Sequence, residues 1–299
     1  MLNFPSEDLN NDVQAGKIVD RNLREYIRDA LGITQKLVES SRHTVISGPQ
    51  GVGKTYGTID ECERAGIEKL IVAPGTSDVA LAVALATKVY QLGEDDELVV
   101  ILDDADDVVF GDYGTLNKWK IALAEPDYNL GIMPFYNHNT AMTGTINAIE
   151  KQAQADPRHQ SKLEALNAYL DPNGLGLSIP TEQVRFVILC NRDFEDPKQL
   201  PRGKLGSAIP PVLDRMNYER INLSMEKQWG WNAYVLGTTQ PFDNYHLSDE
   251  QKIELLMWMR NNWNSLRSKS YRSIRRLAEA MINNPDRYWD IWKRELRGV

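Results

Sequence analysis

The chain is poor in several features that would settle a function at once. It has two cysteines in 299 residues, Cys62 and Cys190, far apart in the sequence. That excludes the cysteine-dense frameworks of small secreted domains and points to a reducing compartment, the cytoplasm. No apolar run approaches the roughly 20 residues of a membrane-spanning helix. The opening stretch, MLNFPSEDLNNDVQAG, is polar and acidic and has the form of neither a signal nor a transit peptide. His43, His138, His159 and His246 are scattered, without a spacing that suits a transition metal. There is no G-x-S-x-G, no paired-cysteine motif, no internal repeat and no low-complexity tract.

Positive charge is also in short supply. The formal net charge is −8, which argues against a general nucleic-acid coat. The deficit is uneven: residues 260–299 hold ten Lys/Arg against four Asp/Glu, so the C-terminal segment alone is basic and could meet phosphates. What remains is a chain of ordinary globular composition, 42% hydrophobic and 25% charged, long enough for one large domain or two modest ones.

Short apolar runs alternate with helical periodicity. Residues 17–41 carry Ile18, Leu23, Ile27, Leu31 and Leu37 at helical spacing. HTVIS reads as a buried strand, followed by a glycine turn and a helix from about Gly53 to Ala65. KLIVAPG (69–75) is a second strand. Residues 77–91 form an Ala/Val/Leu-rich helix capped by Ser77 or Asp78. LVVIL (98–102) is a third strand, TLNKWKIALA (115–124) a helix, RFVILC (185–190) a fourth strand and YERINL (218–223) a fifth. Continuous apolar strands separated by helices predict a parallel sheet covered on both faces.

Residues 126–183 interrupt this rhythm with polar helices at about 144–154 and 158–169 and a turn at DPNGLG; they read as an insertion. FYNHN and the helix after it are a possible partner-binding element. Beyond Asn244 the pattern is all-helical, with Ser248 capping the first helix. The expected organisation is an α/β domain over 1–244 and a small all-α domain over 245–299. The Trp-Gly-Trp at 229–231 could stack on a base or partner, or pack a loop onto its domain.

One segment demands a specific chemistry. Gly48-Pro49-Gln50-Gly51-Val52-Gly53-Lys54-Thr55 fits G-x-x-x-x-G-K-[ST], with an apolar strand before it and a helix after it. Glycines let backbone N–H groups wrap an anion without Cβ clashes, and the helix N-terminus adds positive potential. The nucleotide-binding set is therefore Gly48, Pro49, Gln50, Gly51, Val52, Gly53, Lys54, Thr55 and Tyr56. Lys54 would reach the β- and γ-phosphates, and the Thr55 hydroxyl would ligate Mg²⁺.

LVVILDDADDVV (98–109) runs a buried strand into four aspartates. A Mg²⁺-nucleotide site needs a carboxylate at the tip of a neighbouring strand. Asp103 is placed to hold Mg²⁺ through water, and Asp104 to orient or polarise the attacking water. Asp106 and Asp107 could cap the next helix, bind water in the site or be solvated loop charges. A full strand–helix unit separates Lys54 from Asp103. That suits a sheet with RFVILC inserted between the two motif strands, so that Asn191 points at the γ-phosphate.

These residues resemble the AAA+ ATPase family. GPQGVGKT is similar to its Walker A motif, VVILDD to Walker B, and FVILCNRD to the sensor-1 strand ending in Asn191. IPPVLDRM resembles the stretch with the arginine finger, here Arg215. SIRRLAEAM resembles the sensor-2 helix, with Arg275 the better match and Arg276 the reserve. The resemblance covers roughly residues 20–299. It implies a P-loop NTPase fold, a parallel five-stranded sheet in the order 5-1-4-3-2 flanked by helices, with a helical lid. It further implies ATP and Mg²⁺ as ligands, a homo-oligomeric ring or arc, and a protein partner or DNA as target. Three features depart from the pattern: Walker B ends in Asp-Asp rather than Asp-Glu, the insertion lengthens the gap before sensor 1, and no aromatic pore loop follows the second strand. The expected function is an ATPase of the helicase-loader or clamp-loader kind in DNA replication, acting in the cytoplasm, or the host cytoplasm if the chain is viral, without a membrane. The alternatives are a MoxR-like protein remodeller, a small-molecule kinase sharing the phosphate loop, and a nucleotide-binding scaffold.

Overall fold

The computed structural model describes residues 7–33, 43–104, 106–124, 131–136, 141–171, 176–196, 198–238 and 246–296. In chain order they form α1 (Glu7–Ala30), β1 (Thr44–Ser47), α2 (Lys54–Ala65), β2 (Glu68–Val72), α3 (Asp78–Tyr90) and β3 (Leu98–Asp103). Then follow α4 (Asp106–Phe110), α5 (Tyr113–Ala122), β4 (Ile132–Tyr136), α6 (Ala141–Ala155), α7 (Gln160–Ala168), β5 (Gly176–Pro180) and β6 (Val184–Cys190). The remainder holds α8 (Lys204–Ala208), α9 (Pro210–Leu213), β7 (Asn217–Arg220), α10 (Met225–Thr238), α11 (Asp249–Asn262), α12 (Tyr271–Asn283) and α13 (Tyr288–Arg294). The chain divides into two compact units, one of residues 27–47 and 58–220 and one of residues 1–26, 48–57 and 221–299.

The first of these units is built on a five-stranded parallel sheet in the order β2-β3-β6-β1-β7. Its central strands are apolar without alternation because both faces are covered: Leu98 to Leu102 of β3 and Phe186 to Cys190 of β6 are all buried. At roughly 1.5–3 kcal/mol for each fully buried large aliphatic or aromatic side chain, these runs are what draws the sheet together. Strand β6 pairs with β1 on one side and β3 on the other. The edge strands β2 and β7 are less buried and carry charges, Glu68 and Lys69 on one, Glu219 and Arg220 on the other, which discourages edge pairing. Helix α3 starts where the Ser77 hydroxyl accepts the Ala80 N–H at 3.2 Å and buries Leu81, Leu85 and Val89. Helix α5 is capped by Asp112 and sets Trp119, fully buried, edge-on to Phe186 at 4.9 Å.

The expected order 5-1-4-3-2 becomes β7-β1-β6-β3-β2: the five strands follow one another as expected, but two more strands in the chain change their numbers. Strands β4 and β5 pair antiparallel with each other in a sheet of their own, which makes RFVILC the sixth strand and YER the seventh. Pro134 and Pro180, within or at the end of these strands, hid them. The insertion is not an isolated arm. Met133, Phe135, Met142, Ile149, Leu166 and Ile179 belong to the same apolar core as the sheet. Four residues of its expected DPNGLG turn, and residues 137–139 of FYNHN, lie outside the described residues.

The second unit is helical. Leu9 and Val13 of α1 join Trp229 and Leu236 of α10, Leu255 and Met259 of α11, Leu277 and Met281 of α12 and Trp292 of α13 in one core. Helix α1 begins at Glu7, ten residues before the periodic stretch, because Leu9 and Val13 are buried although their surroundings are polar. The last stretch of this compact unit runs from Ile221, and α10 packs with the later helices. The Trp-Gly-Trp stretch lies within α10: both rings are buried, and the Trp229 indole donates to Asp12 Oδ2 at 2.7 Å. These rings are core residues. Helix α11 opens with a reciprocal capping box between Ser248 and Gln251.

Helices α1 and α10 touch backbone to backbone at Gly16 and Gly230. A Cβ on Gly16 would fall 1.9 Å from the Gly230 carbonyl oxygen. Alanine is the better helix former by about 1 kcal/mol, whereas overpacking against backbone costs about 3 kcal/mol. The clash wins, so Gly16→Ala lowers unfolding free energy by about 2 kcal/mol in urea titration; an unchanged or raised midpoint contradicts this contact.

A second prediction comes from β7. Burial, with the Asp29 carboxylate as the smaller cause, holds the Glu219 pKa above its ordinary 4.5. The folded state therefore binds this proton more tightly than the unfolded chain. The group's contribution to stability falls as pH rises through 4.5 toward the raised folded value, and it is unfavourable at neutral pH. Glu219→Gln is expected to melt at a higher temperature than the natural chain at about pH 7, with the gap closing below about pH 4.

Candidate functional site

The sequence-predicted residues fall into two groups, each assembled within its own unit. The first grows out of the glycine loop that follows β1. Gly51 and Gly53 adopt φ +80° and +85°, where a side chain is disfavoured. Each of the three glycines is also pressed by a neighbour. A Cβ would meet Ile221 Cβ at 2.8 Å from Gly48, Ser270 Cβ at 2.5 Å from Gly51, and Trp231 Cζ2 at 2.9 Å from Gly53. Val52 is buried and Gln50 exposed. Lys54 opens α2 and is buried to 6% exposure. Its ammonium donates to the carbonyls of Gly48 at 2.8 Å and Pro49 at 3.0 Å. The loop thus closes on its own lysine, which holds a positive charge beneath the start of a 12-residue helix. Thr55 is partly buried, and Tyr56 is 53% exposed.

In the same unit an open hollow of about 530 Å³ is lined by Gln50 of the loop and by Ser268, Ser270, Arg272, Arg275, Arg276 and Glu279. Arg275 and Gln50 of the glycine loop, far apart in the sequence, therefore face one hollow. Arg275 pairs with Glu279 at 2.9 Å and Arg276 with Glu295 at 3.5 Å. Arg272 makes no ion pair among the described residues. Periodicity places these arginines together: α12 buries Ile274, Leu277, Ala278 and Met281 and leaves the opposite face to the cations.

The second group lies at the carboxyl edge of the sheet. Asp103 ends β3, opposite Leu189 of β6. Asp104 takes φ +49°, and its N–H donates to the Leu189 carbonyl at 3.0 Å. The Asn191 amide donates to Asp104 Oδ1 at 2.7 Å. The parallel pairing of β3 and β6 accounts for this meeting, since both strands end at the same level. Asp106 starts α4 and Asp107 is exposed on it; the next helix is capped by Asp112 instead. Arg215 stands apart from this edge: it is exposed on the turn between α9 and the amino end of β7, with its guanidinium donating to the Pro211 carbonyl.

Sequence reasoning missed a network beside Asn191. The buried Asp193 accepts from the Tyr218 hydroxyl at 3.1 Å and pairs with Arg220 at 2.8 Å. The available signal was the alternation on β7, which puts Tyr218 and Arg220 on one face and Glu219 on the other. Among the described residues, no three His, Cys, Asp or Glu side chains group as a metal cage, and no helix is long and apolar enough to cross a membrane.

No protein-family model matches the chain. It is similar to an uncharacterized 36.7 kDa protein in the nrdC-mobD intergenic region of Enterobacteria phage T4, with 23% identity over 252 residues. The match takes in 84% of this chain and 66% of that protein, just under two thirds of its length.

The glycine geometry yields a paired prediction. Gly51→Ala meets both an unfavourable φ and Ser270, whereas Gly75, at φ +74°, has open space around it. Gly75→Ala should cost about 1 kcal/mol, the conformational penalty alone, and Gly51→Ala about 3 kcal/mol, measured by urea denaturation. Equal losses would show that the Ser270 contact relaxes freely.

Proposed function

We propose that the protein is a Mg²⁺-dependent ATPase of the AAA+ kind that works as an oligomer to load or remodel a partner in DNA metabolism. The observation that supports this reading most is the glycine loop itself: a buried Lys54 ammonium resting on the Gly48 and Pro49 carbonyls, at the N-terminus of α2 and directly after a buried strand. Carbonyl acceptors of a loop are weak partners for an ammonium beside phosphate oxygens, so Lys54 is ready to exchange them for a polyanion. A loop of glycines without Cβ atoms is the kind of backbone whose N–H groups can turn toward an anion.

In this reading residues Gly48 to Tyr56 hold the triphosphate, and Thr55 with Asp103 supplies oxygen donors of the type that suit Mg²⁺. Magnesium, when bound, neutralises charge on the phosphates. Asp104 orients a water, and Asn191 fixes the Asp104 carboxylate by the hydrogen bond at 2.7 Å. Arg275 reaches phosphate from α12, with Arg276 beside it. Arg215, exposed, serves the nucleotide of a neighbouring subunit; a trans arginine is worth about 10³–10⁵ in rate in related phosphoryl transfer. Similarity to a phage protein favours a setting in the cytoplasm of an infected host.

Calorimetry with ATP and Mg²⁺, followed by phosphate release, tests the reading. The natural chain should bind and turn over. Lys54→Ala should lose binding, and Asp104→Asn should bind while losing turnover by about 10²–10⁴. Mixing Asp104→Asn with Arg215→Ala should restore part of the activity if the arginine acts between subunits. Absence of affinity in the natural chain removes the proposal. Phosphate arriving on an added metabolite replaces the ATPase by a kinase.

A further inference from the structure

A dense polar network next to Asn191 is left unused by the roles above. Asp193 Oδ1 accepts from the Tyr218 hydroxyl at 3.1 Å and from the Glu195 N–H at 3.0 Å, and Oδ2 lies 2.8 Å from Arg220 Nη2. The Tyr218 hydroxyl accepts the Phe194 N–H at 3.0 Å. The Asp193 N–H donates to Gln199 Oε1 at 2.9 Å, and the Ser47 hydroxyl donates to the Arg192 carbonyl at 2.7 Å. The Phe194 ring packs on Phe110 at 4.6 Å.

Each of residues 192–195 is thus tied by backbone or side chain, and the residue just before them holds Asp104. A buried carboxylate is costly unless it is paired and hydrogen-bonded, and Asp193 is both. Burial raises the Tyr218 pKa, so its hydroxyl stays protonated at neutral pH and remains a donor. The anchors of the network, Tyr218 and Arg220, stand on one face of β7. Its next residue, Ile221, begins the C-terminal stretch of the helical unit.

We propose that Tyr218, Asp193 and Arg220 form a clamp that positions Asn191 against Asp104, setting the rate of ATP turnover and not the affinity for ATP. The inference rests on the ATPase reading. None of the three clamp residues needs to touch nucleotide; they act through the 191–195 loop. A displacement of about 1 Å at a reacting group can cost on the order of 100-fold in rate, so a small slackening of this loop is enough to be measured.

The test compares Tyr218→Phe, Arg220→Ala and Arg220→Lys with the natural chain. ATP affinity with Mg²⁺ is read by calorimetry, kcat by phosphate release and folding by thermal melting. Tyr218→Phe keeps the ring and its packing, so its effect is separable from misfolding. Tyr218→Phe and Arg220→Ala should lower kcat on the order of 10-fold or more while the Kd for ATP stays within about twofold. Arg220→Lys should recover part of the loss. Unchanged kcat in folded Tyr218→Phe and Arg220→Ala overturns the clamp, as does a Kd that weakens in step with kcat. A natural chain without any turnover overturns the ATPase reading, and the clamp with it; turnover with indifferent variants overturns the clamp alone.

Discussion

Five parallel strands have one carboxyl edge in common, and the chemistry of this chain depends on that constraint. Strands buried on both faces can present polar groups only where they end. Asp103 and Asp104 leave from β3, and Asn191 and Asp193 from β6. Gly48 follows the last residue of β1 in the chain, and Arg220 ends β7. In open α/β sheets this edge is where ligands bind, because loops there are free to vary while the strands stay packed. The placement of β6 between β1 and β3 then decides which loops are neighbours: the pairing of Asp103 with Leu189 brings the ends of β3 and β6 level, and the contact between Asn191 and Asp104 follows from it.

The parts of this arrangement that were legible in the sequence are those whose chemistry demands a residue type locally. The glycine loop can be read because positive φ and close neighbours disfavour other residues at Gly51 and Gly53. LVVIL and RFVILC can be read because a doubly covered strand has no polar alternation. Helix α3 can be read from Ser77 and an uninterrupted apolar stripe. What stayed hidden depends on partners distant in sequence. Leu9 and Val13 are two apolar residues in a polar stretch until α10 and α11 cover them. Strands β4 and β5 are short, carry prolines and make sense only as a pair. Asp193 looks like one more loop acid until Tyr218 and Arg220, some 25 residues on, enclose it.

The same distinction separates the arginines. Resemblance points to Arg275 among several cations on α12, and the hollow it shares with Gln50 relates it to the glycine loop through geometry that owes nothing to resemblance. Arg272 and Arg276 line that hollow too, so charge alone does not single out one of them. Their pairings set Arg272 apart from the other two: Arg275 and Arg276 each have a carboxylate partner, Glu279 and Glu295, whose attraction an incoming anion would have to outcompete. Exposed pairs of this kind are worth roughly 0–1 kcal/mol, well below a charge-assisted bond to phosphate. The pairs therefore orient the guanidinium groups without locking them.

Asp104 carries a cost that the packing of the sheet does not require. At φ +49° a side chain is disfavoured relative to glycine, though less for aspartate than for most residues, and glycine would have adopted this turn freely. The conformation is held by two hydrogen bonds, from its N–H to the Leu189 carbonyl and from the Asn191 amide to its carboxylate. The first fixes the backbone and would serve any residue. The second needs a side-chain acceptor, and it sets the direction of one carboxylate oxygen at the edge of the sheet. Strain kept at a position where a cheaper residue fits argues that the side chain is wanted for itself, and outliers of this kind cluster at functional sites. A carboxylate whose orientation is set on one oxygen keeps the other available to accept a proton or a water. That division of labour is the property a water-orienting group needs, and it distinguishes Asp104 from the exposed Asp107 on the helix that follows.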